Sequence, residues 1–206
     1  AWQSRPSWRR TAAGADRRMA GATRAASAAA PGVAIKALVL DFDSTISTPT
    51  FLERANQWAV ADNVPLFESM SAEERVANFG GKARIEQLAS CFKDLKAASV
   101  ELFIVSIGYK AAFVPHLQSV GLLAFFEPER LYGQDSPELR ATGFVKGELI
   151  AQIMHARGWA HEDVLFVDDS IAHIEKARRV CRTLHVTGKG GMQAAELAEI
   201  RRAGGA

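Results

Sequence analysis

Cysteine is nearly absent. Cys91 and Cys181 are the two in 206 residues, too few for a disulfide framework and suited to a reducing, intracellular compartment. Each is expected as a small buried hydrophobe rather than a reactive thiol. No apolar run approaches the roughly 20 residues that span a bilayer, which excludes a membrane-spanning helix. The histidines, His116, His155, His161, His173 and His185, show no paired ligand spacing, so they are read as surface or core residues. Internal repeats are lacking. The glycine-rich stretch Gly188–Gly191 lacks the Ser or Thr that would complete a phosphate-binding P-loop, and is read as a turn.

Acids are scarce in one region only. Residues 1–32 hold Arg5, Arg9, Arg10, Arg17, Arg18 and Arg24, no lysine, and Asp16 as the sole acid, a net +5; the remainder of the chain carries −3 against an overall +2. The basic pI therefore belongs to the leader, and the mildly acidic remainder argues against a nucleic-acid-binding surface. The leader is Ala/Arg/Ser-rich without apolar periodicity, a composition suited to a transit peptide for a plastid or mitochondrion. A disordered leader, or upstream sequence foreign to the native protein, is the competing reading. Beyond it, 48% hydrophobic and 23% charged residues overall are ordinary for a globular domain.

From Val33 onward, apolar strands alternate with amphipathic helices. "VAIKALVLDF", "VELFIVSIG", "DVLFVDDS" and "RTLHVTG" read as strands, with a short one near Arg130–Tyr132. The first is apolar enough to be buried on both faces. "ARIEQLASCFKDLKAA" sets Ile85, Leu88, Ala89, Phe92 and Leu95 on one helix face, and Ser71 with Glu74 has capping-box spacing. "KAAFVPHLQSVGL" reads as a helix with a kink at Pro115, closed by Gly121. Such alternation implies an α/β fold with a doubly wound parallel sheet. Ligands of such sheets lie beyond the carboxyl ends of the strands. Asp41 with Asp43, Ser106, and Asp168 with Asp169 each end a strand, so one rim can collect them all.

If the first strand stays regular, Asp41 and Asp43 point the same way. Four carboxylates at one rim would repel and raise one another's pKa. A hard divalent cation relieves this, and oxygen ligands favour Mg²⁺. A carboxylate beside such a cation can attack phosphorus and form an aspartyl phosphate. Ser106, Lys146 and backbone N–H groups after Asp41 can bind the phosphoryl oxygens, while Asp43 is placed to protonate the leaving group and then activate water.

"VLDFDSTIS" resembles motif I, D-x-D-x-T, of the haloacid dehalogenase (HAD) superfamily. Ser106 ending "LFIVS" resembles its motif II, Lys146 in "FVKGELI" its motif III, and "VLFVDDS" its motif IV. The resemblance spans about residues 34–187 in the family's order. It implies a Rossmann-like core of residues 33–47 and 82–206 with a small helical cap at 48–81. It also implies Asp41 as nucleophile, Asp43 as general acid/base with its main-chain carbonyl on Mg²⁺, Ser106 on phosphate and Lys146 neutralising the phosphoaspartate. Asp168 becomes a Mg²⁺ ligand, Asp169 a direct or water-mediated one, and Thr45 a support of the motif I loop at the substrate. Dehalogenase members lack an acid where Asp43 stands, so a phosphatase is expected. The alternatives are a phosphotransferase or mutase, and a non-catalytic phospho-ligand-binding protein. "DFDST" is similar to phosphoserine phosphatases, yet "DDS" departs from their Gly-Asp-led motif IV. A phosphorylated small molecule is the expected substrate, with a phosphoprotein as the second class.

Other residues carry weaker signals. Lys110, near Ser106 and Gly108, is either a second phosphate contact or a solvated lysine at a helix start. Glu175 is expected to pair with Arg179 on a helix surface. Phe51 and Trp58 in the cap are expected to pack rather than to stack on substrate.

Overall fold

The computed structural model describes residues 34–55 and 62–206. The leader and Trp58 lie outside the described residues. Five parallel strands form one sheet in the order β3-β2-β1-β4-β5: β1 Ala37–Leu40, β2 Glu101–Val105, β3 Leu131–Tyr132, β4 Val164–Asp168 and β5 Arg182–His185. The expected doubly wound α/β architecture is therefore present. The order reverses between β1 and β4, which puts the crevice of such a sheet at their carboxyl ends.

Side-chain alternation sorts the strands onto two faces. Leu38 and Leu40 of β1, Leu102 and Ile104 of β2, and Leu165 and Val167 of β4 face one core layer. There they meet α4 (Lys82–Ala97), α5 (Lys110–Ser119) and α9 (Ala194–Gly204). Ala37, Val39, Phe103, Val105, Val164 and Phe166 face the other layer, with α6 (Pro137–Ala141), α7 (Lys146–Arg157) and α8 (Ile171–Ala177). Both cysteines are buried among these apolar groups as free thiols. Helix α5 runs on through Pro115. Gly158 closes α7 in the left-handed conformation, as its place after the last periodic residue predicts.

The insertion after β1 is helical: α1 Pro49–Ala55, α2 Asn63–Glu68 and α3 Ala72–Ala77. The Ser71–Glu74 capping box forms in full. Phe51, Ala55, Leu66, Phe67 and Met70 make a small core of their own, so Phe51 packs as expected. His116 of α5 joins this core to the main one. Its ring lies 4.0 Å from Phe67, 4.5 Å from Phe51 and 5.8 Å from Phe42 between centroids. No helix among the described residues is long and apolar enough to cross a membrane.

Two expectations fail on local geometry. Strand pairing in β1 stops at Leu40, and the chain then enters a compact turn, Phe42–Ile46, with Ser44 at φ 57. Asp41 and Asp43 are therefore not successive side chains of a regular strand. Glu175 and Arg179 do not share a helix, because α8 ends at Ala177 and leaves Arg179 beyond it.

Candidate active site

Register decides which side chains meet. Leu40 pairs with Val167 on one side and Ile104 on the other, so Asp41 and Asp168 are neighbours one residue past their strands' last shared level. Asp41 follows Ala37 and Val39 by twos, and Asp168 follows Val164 and Phe166, so both face the layer that holds α7. Lys146 is the first residue of α7 and reaches both. Its Nζ donates to Asp41 Oδ1 and to Asp168 Oδ2, each at 2.7 Å. All three are buried, at 2% exposure for Lys146, 4% for Asp41 and 0% for Asp168. The Ser170 N–H donates to the other Asp168 oxygen at 2.7 Å.

These groups line a cleft of about 310 Å³. Asp43, Ser106, Gly108 and Asp169 share it, so seven of the residues singled out from sequence converge there: Asp41, Asp43, Ser106, Gly108, Lys146, Asp168 and Asp169. Gly108 has a steric role beside its place in the wall. A Cβ on it would stand 2.7 Å from Asp43 Oδ2, so the bare backbone makes room for that carboxylate. The Gly108 N–H donates to Ser106 Oγ at 3.1 Å, leaving the hydroxyl proton for a ligand.

Two expected residues are absent from the cleft wall. Thr45 is fully buried beneath it, and its carbonyl accepts from Arg84 Nη2 at 3.1 Å and from the Met192 N–H at 2.9 Å. The turn after Asp43 carries Thr45 inward, so it supports the loop without lining the cavity. Lys110 points its Nζ to the Pro128 carbonyl at 3.1 Å, and its N–H donates to Asp135 Oδ1 at 2.7 Å. The start of α5 is capped from that loop, which holds the lysine away from the site.

Burial and like charge set the acid–base state. Desolvation first, then Asp41 and Asp169, push the Asp43 carboxyl up to about 7 against the pull of Lys146. Asp168 is pushed up to about 6, chiefly by burial and then by Asp41. Asp169 is raised by burial and Asp41. The attraction of Asp41 and Asp168 raises Lys146 despite its burial, which keeps it an ammonium.

Further wall residues escape the sequence reading. His173 on α8 lines the cleft, and burial followed by Lys146 lowers its pKa. Leu52, Ala55 and Asn63 come from the insertion, and Ile107 and Gln134 from the core. None has a sequence signal of its own; tertiary packing carries them to the cleft. Arg84 is the deepest omission. It is buried without a carboxylate partner among the described residues, and its guanidinium donates to the carbonyls of Ile46 (2.7 Å), Phe79 (3.0 Å), Thr45 (3.1 Å) and Met192 (3.1 Å). It ties the turn after Asp43 to the end of the insertion and to the loop before α9.

One carboxylate oxygen from each of Asp41, Asp168 and Asp169 lies within 4.8 Å of the others. Three hard oxygen donors so placed suit a small divalent cation, whose oxygen ligands stand about 2.0–2.1 Å from it.

Fold and site together define an α/β protein with a carboxylate–lysine centre at the switch point of a parallel sheet. No family model matches the chain, and no curated protein matches it. Solved structures do. A haloacid dehalogenase-like family hydrolase from Streptococcus pneumoniae is 18% identical, with 81% of this chain and 90% of that one covered and a TM-score of 0.44. A HAD family hydrolase from Deinococcus radiodurans R1, with bound phosphate and sodium, is 15% identical over 81% and 88%, at 0.48. A dehalogenase is 13% identical over 80% and 90%, also at 0.48. At these identities the chemistry has to be argued from the chain's own residues.

Proposed function

We propose that the protein is a Mg²⁺-dependent phosphatase that hydrolyses phosphate monoesters through a phosphorylated Asp41. The observation that carries this reading is the Lys146 ammonium shared between Asp41 and Asp168 with Asp43 beside them. Lys146 engages one oxygen of Asp41 and leaves the other for attack. Asp41, Asp168 and Asp169 would hold the cation, which when bound supplies charge neutralisation to the phosphoryl oxygens.

The roles follow from position. An Asp41 oxygen forms a bond to phosphorus as the ester P–O bond breaks, and Asp43 gives its proton to the departing alkoxide. The Ser106 hydroxyl and the main chain around Gly108 bind phosphoryl oxygens. Water then attacks the phosphorus of the aspartyl phosphate, Asp43 takes its proton, and inorganic phosphate leaves with Asp41 restored. Burial, the largest cause, raises the Asp43 carboxyl, which favours a proton on it for the departing alkoxide. A dehalogenase needs no such proton donor, so Asp43 favours ester hydrolysis.

The covalent step has a direct test. In Asp43→Asn, an aryl phosphate whose leaving group needs no protonation should still phosphorylate Asp41, while the water step fails. Mass spectrometry of the acid-quenched variant should find one phosphoryl group on Asp41. Turnover without any phosphorylated Asp41 in the variant or the wild type would remove the covalent mechanism.

A further inference from the structure

The cleft wall constrains the rest of the substrate. Four carboxylates, Asp41, Asp43, Asp168 and Asp169, face a single cation, Lys146, among the described residues. That cation is already engaged, at 2.7 Å from both Asp41 and Asp168. Residues 56–61, between α1 and α2, read Asn-Gln-Trp-Ala-Val-Ala and contain no charged side chain. The wall beyond the carboxylates is neutral: Leu52, Ala55, Asn63, Ile107, Gln134 and His173. Burial and then Lys146 lower the pKa of His173, against the pull of Asp41.

A divalent cation and a phosphate dianion would offset one another, leaving the carboxylate excess uncompensated. A second anionic group on the substrate would enter this field with no free cation among the described cleft residues to pair with. Asn63 is the polar side chain that the insertion adds to this wall.

Resting on the phosphatase reading, we infer that the substrate is the phosphate monoester of a small alcohol that bears no anionic group. Phosphorylated hydroxy acids, which carry a carboxylate beside the ester, are selected against. Asn63 is the insertion's polar contribution to this selection, and Leu52 and Ala55 bound the space around it.

Matched pairs isolate the charge. Rates of phosphate release with Mg²⁺ are compared for 2-hydroxyethyl phosphate against 2-phosphoglycolate, and for glycerol 3-phosphate against 3-phosphoglycerate, with phosphoethanolamine as the cationic arm. The expected result is kcat/KM roughly tenfold or more in favour of the non-carboxylate member of each pair. Asn63→Lys, checked for folding by thermal unfolding, should shrink that ratio by about tenfold by supplying the missing cation. Carboxylate members hydrolysed as well or better, or a ratio unmoved by Asn63→Lys, would overturn the inference while leaving the phosphatase intact. Phosphate release from none of these esters, nor from an aryl phosphate, would instead defeat the proposed function. Calorimetric binding of the same pairs to the Mg²⁺-loaded protein then decides the charge rule: tighter binding of the non-carboxylate member upholds it, and tighter binding of the carboxylate member overturns it.

Discussion

Lys146 holds the site together at the scale of one residue. Two buried carboxylates accept from its ammonium at 2.7 Å, and neither has another cation among the described residues at that distance. Breaking a buried pair by removing one partner strands the other, at a cost of about 3–5 kcal/mol. Lys146→Met should therefore lose that much stability in urea unfolding without divalent cation, and added Mg²⁺ should recover part of it. Its kcat/KM should fall by about 10²–10³-fold, the usual loss for one electrostatic stabiliser. Single residues were unequally legible in the sequence. Asp41, Ser106 and Asp168 announce themselves because each ends an apolar run. Thr45 is marked by the motif I resemblance and Lys110 by its nearness to Ser106 and Gly108, yet the chain turns them inward and aside. His173, Asn63 and Gln134 have no local signal, since only tertiary packing carries them to the cleft.

Among elements, the turn Phe42–Ile46 depends on Arg84 of α4. From sequence Arg84 is one more charged residue in an amphipathic helix, and nothing nearby marks it as buried. Four carbonyls accept from it, and burial lowers its pKa to about 10. Arg84→Met takes a donor from all four carbonyls, of which Thr45 keeps the Met192 N–H, and should cost about 3 kcal/mol or more in urea unfolding. Activity should fall further than stability explains, because the same turn carries Asp43. The junction of α5 with the insertion gives a pH dependence. His116 Nδ1 meets the Ala112 carbonyl at 3.0 Å and must be its protonated nitrogen, and Nε2 accepts from Asn78 Nδ2 at 3.0 Å. The ring is therefore neutral, and burial, followed by Arg75, lowers its pKa from 6.5 to about 4. The unfolded chain binds this proton first, so the contribution is present above pH 6.5 and is lost as pH falls from about 6.5 to 4. Integrated, that is about 3 kcal/mol. Urea unfolding of the wild type and His116→Gln across that window should show the loss in the wild type alone; parallel curves would refute it.

For the whole molecule, strand–helix alternation made the parallel sheet legible, and the sheet order then located the crevice between β1 and β4. Two short helices were not legible in detail: α2 of the insertion and α6 of the core lack a clear apolar period, and they are held by burying their own Leu66 and Phe67, and Leu139, respectively. The central claim, that this sheet brings Asp41 to a metal-assisted phosphoryl transfer, is best tested by phosphate release from an aryl phosphate. The wild type is assayed with Mg²⁺ and with chelator, beside Asp41→Asn with Mg²⁺. The account predicts turnover that requires Mg²⁺ and disappears in Asp41→Asn while the fold is kept. Turnover that persists in Asp41→Asn, or is indifferent to chelation, would contradict it.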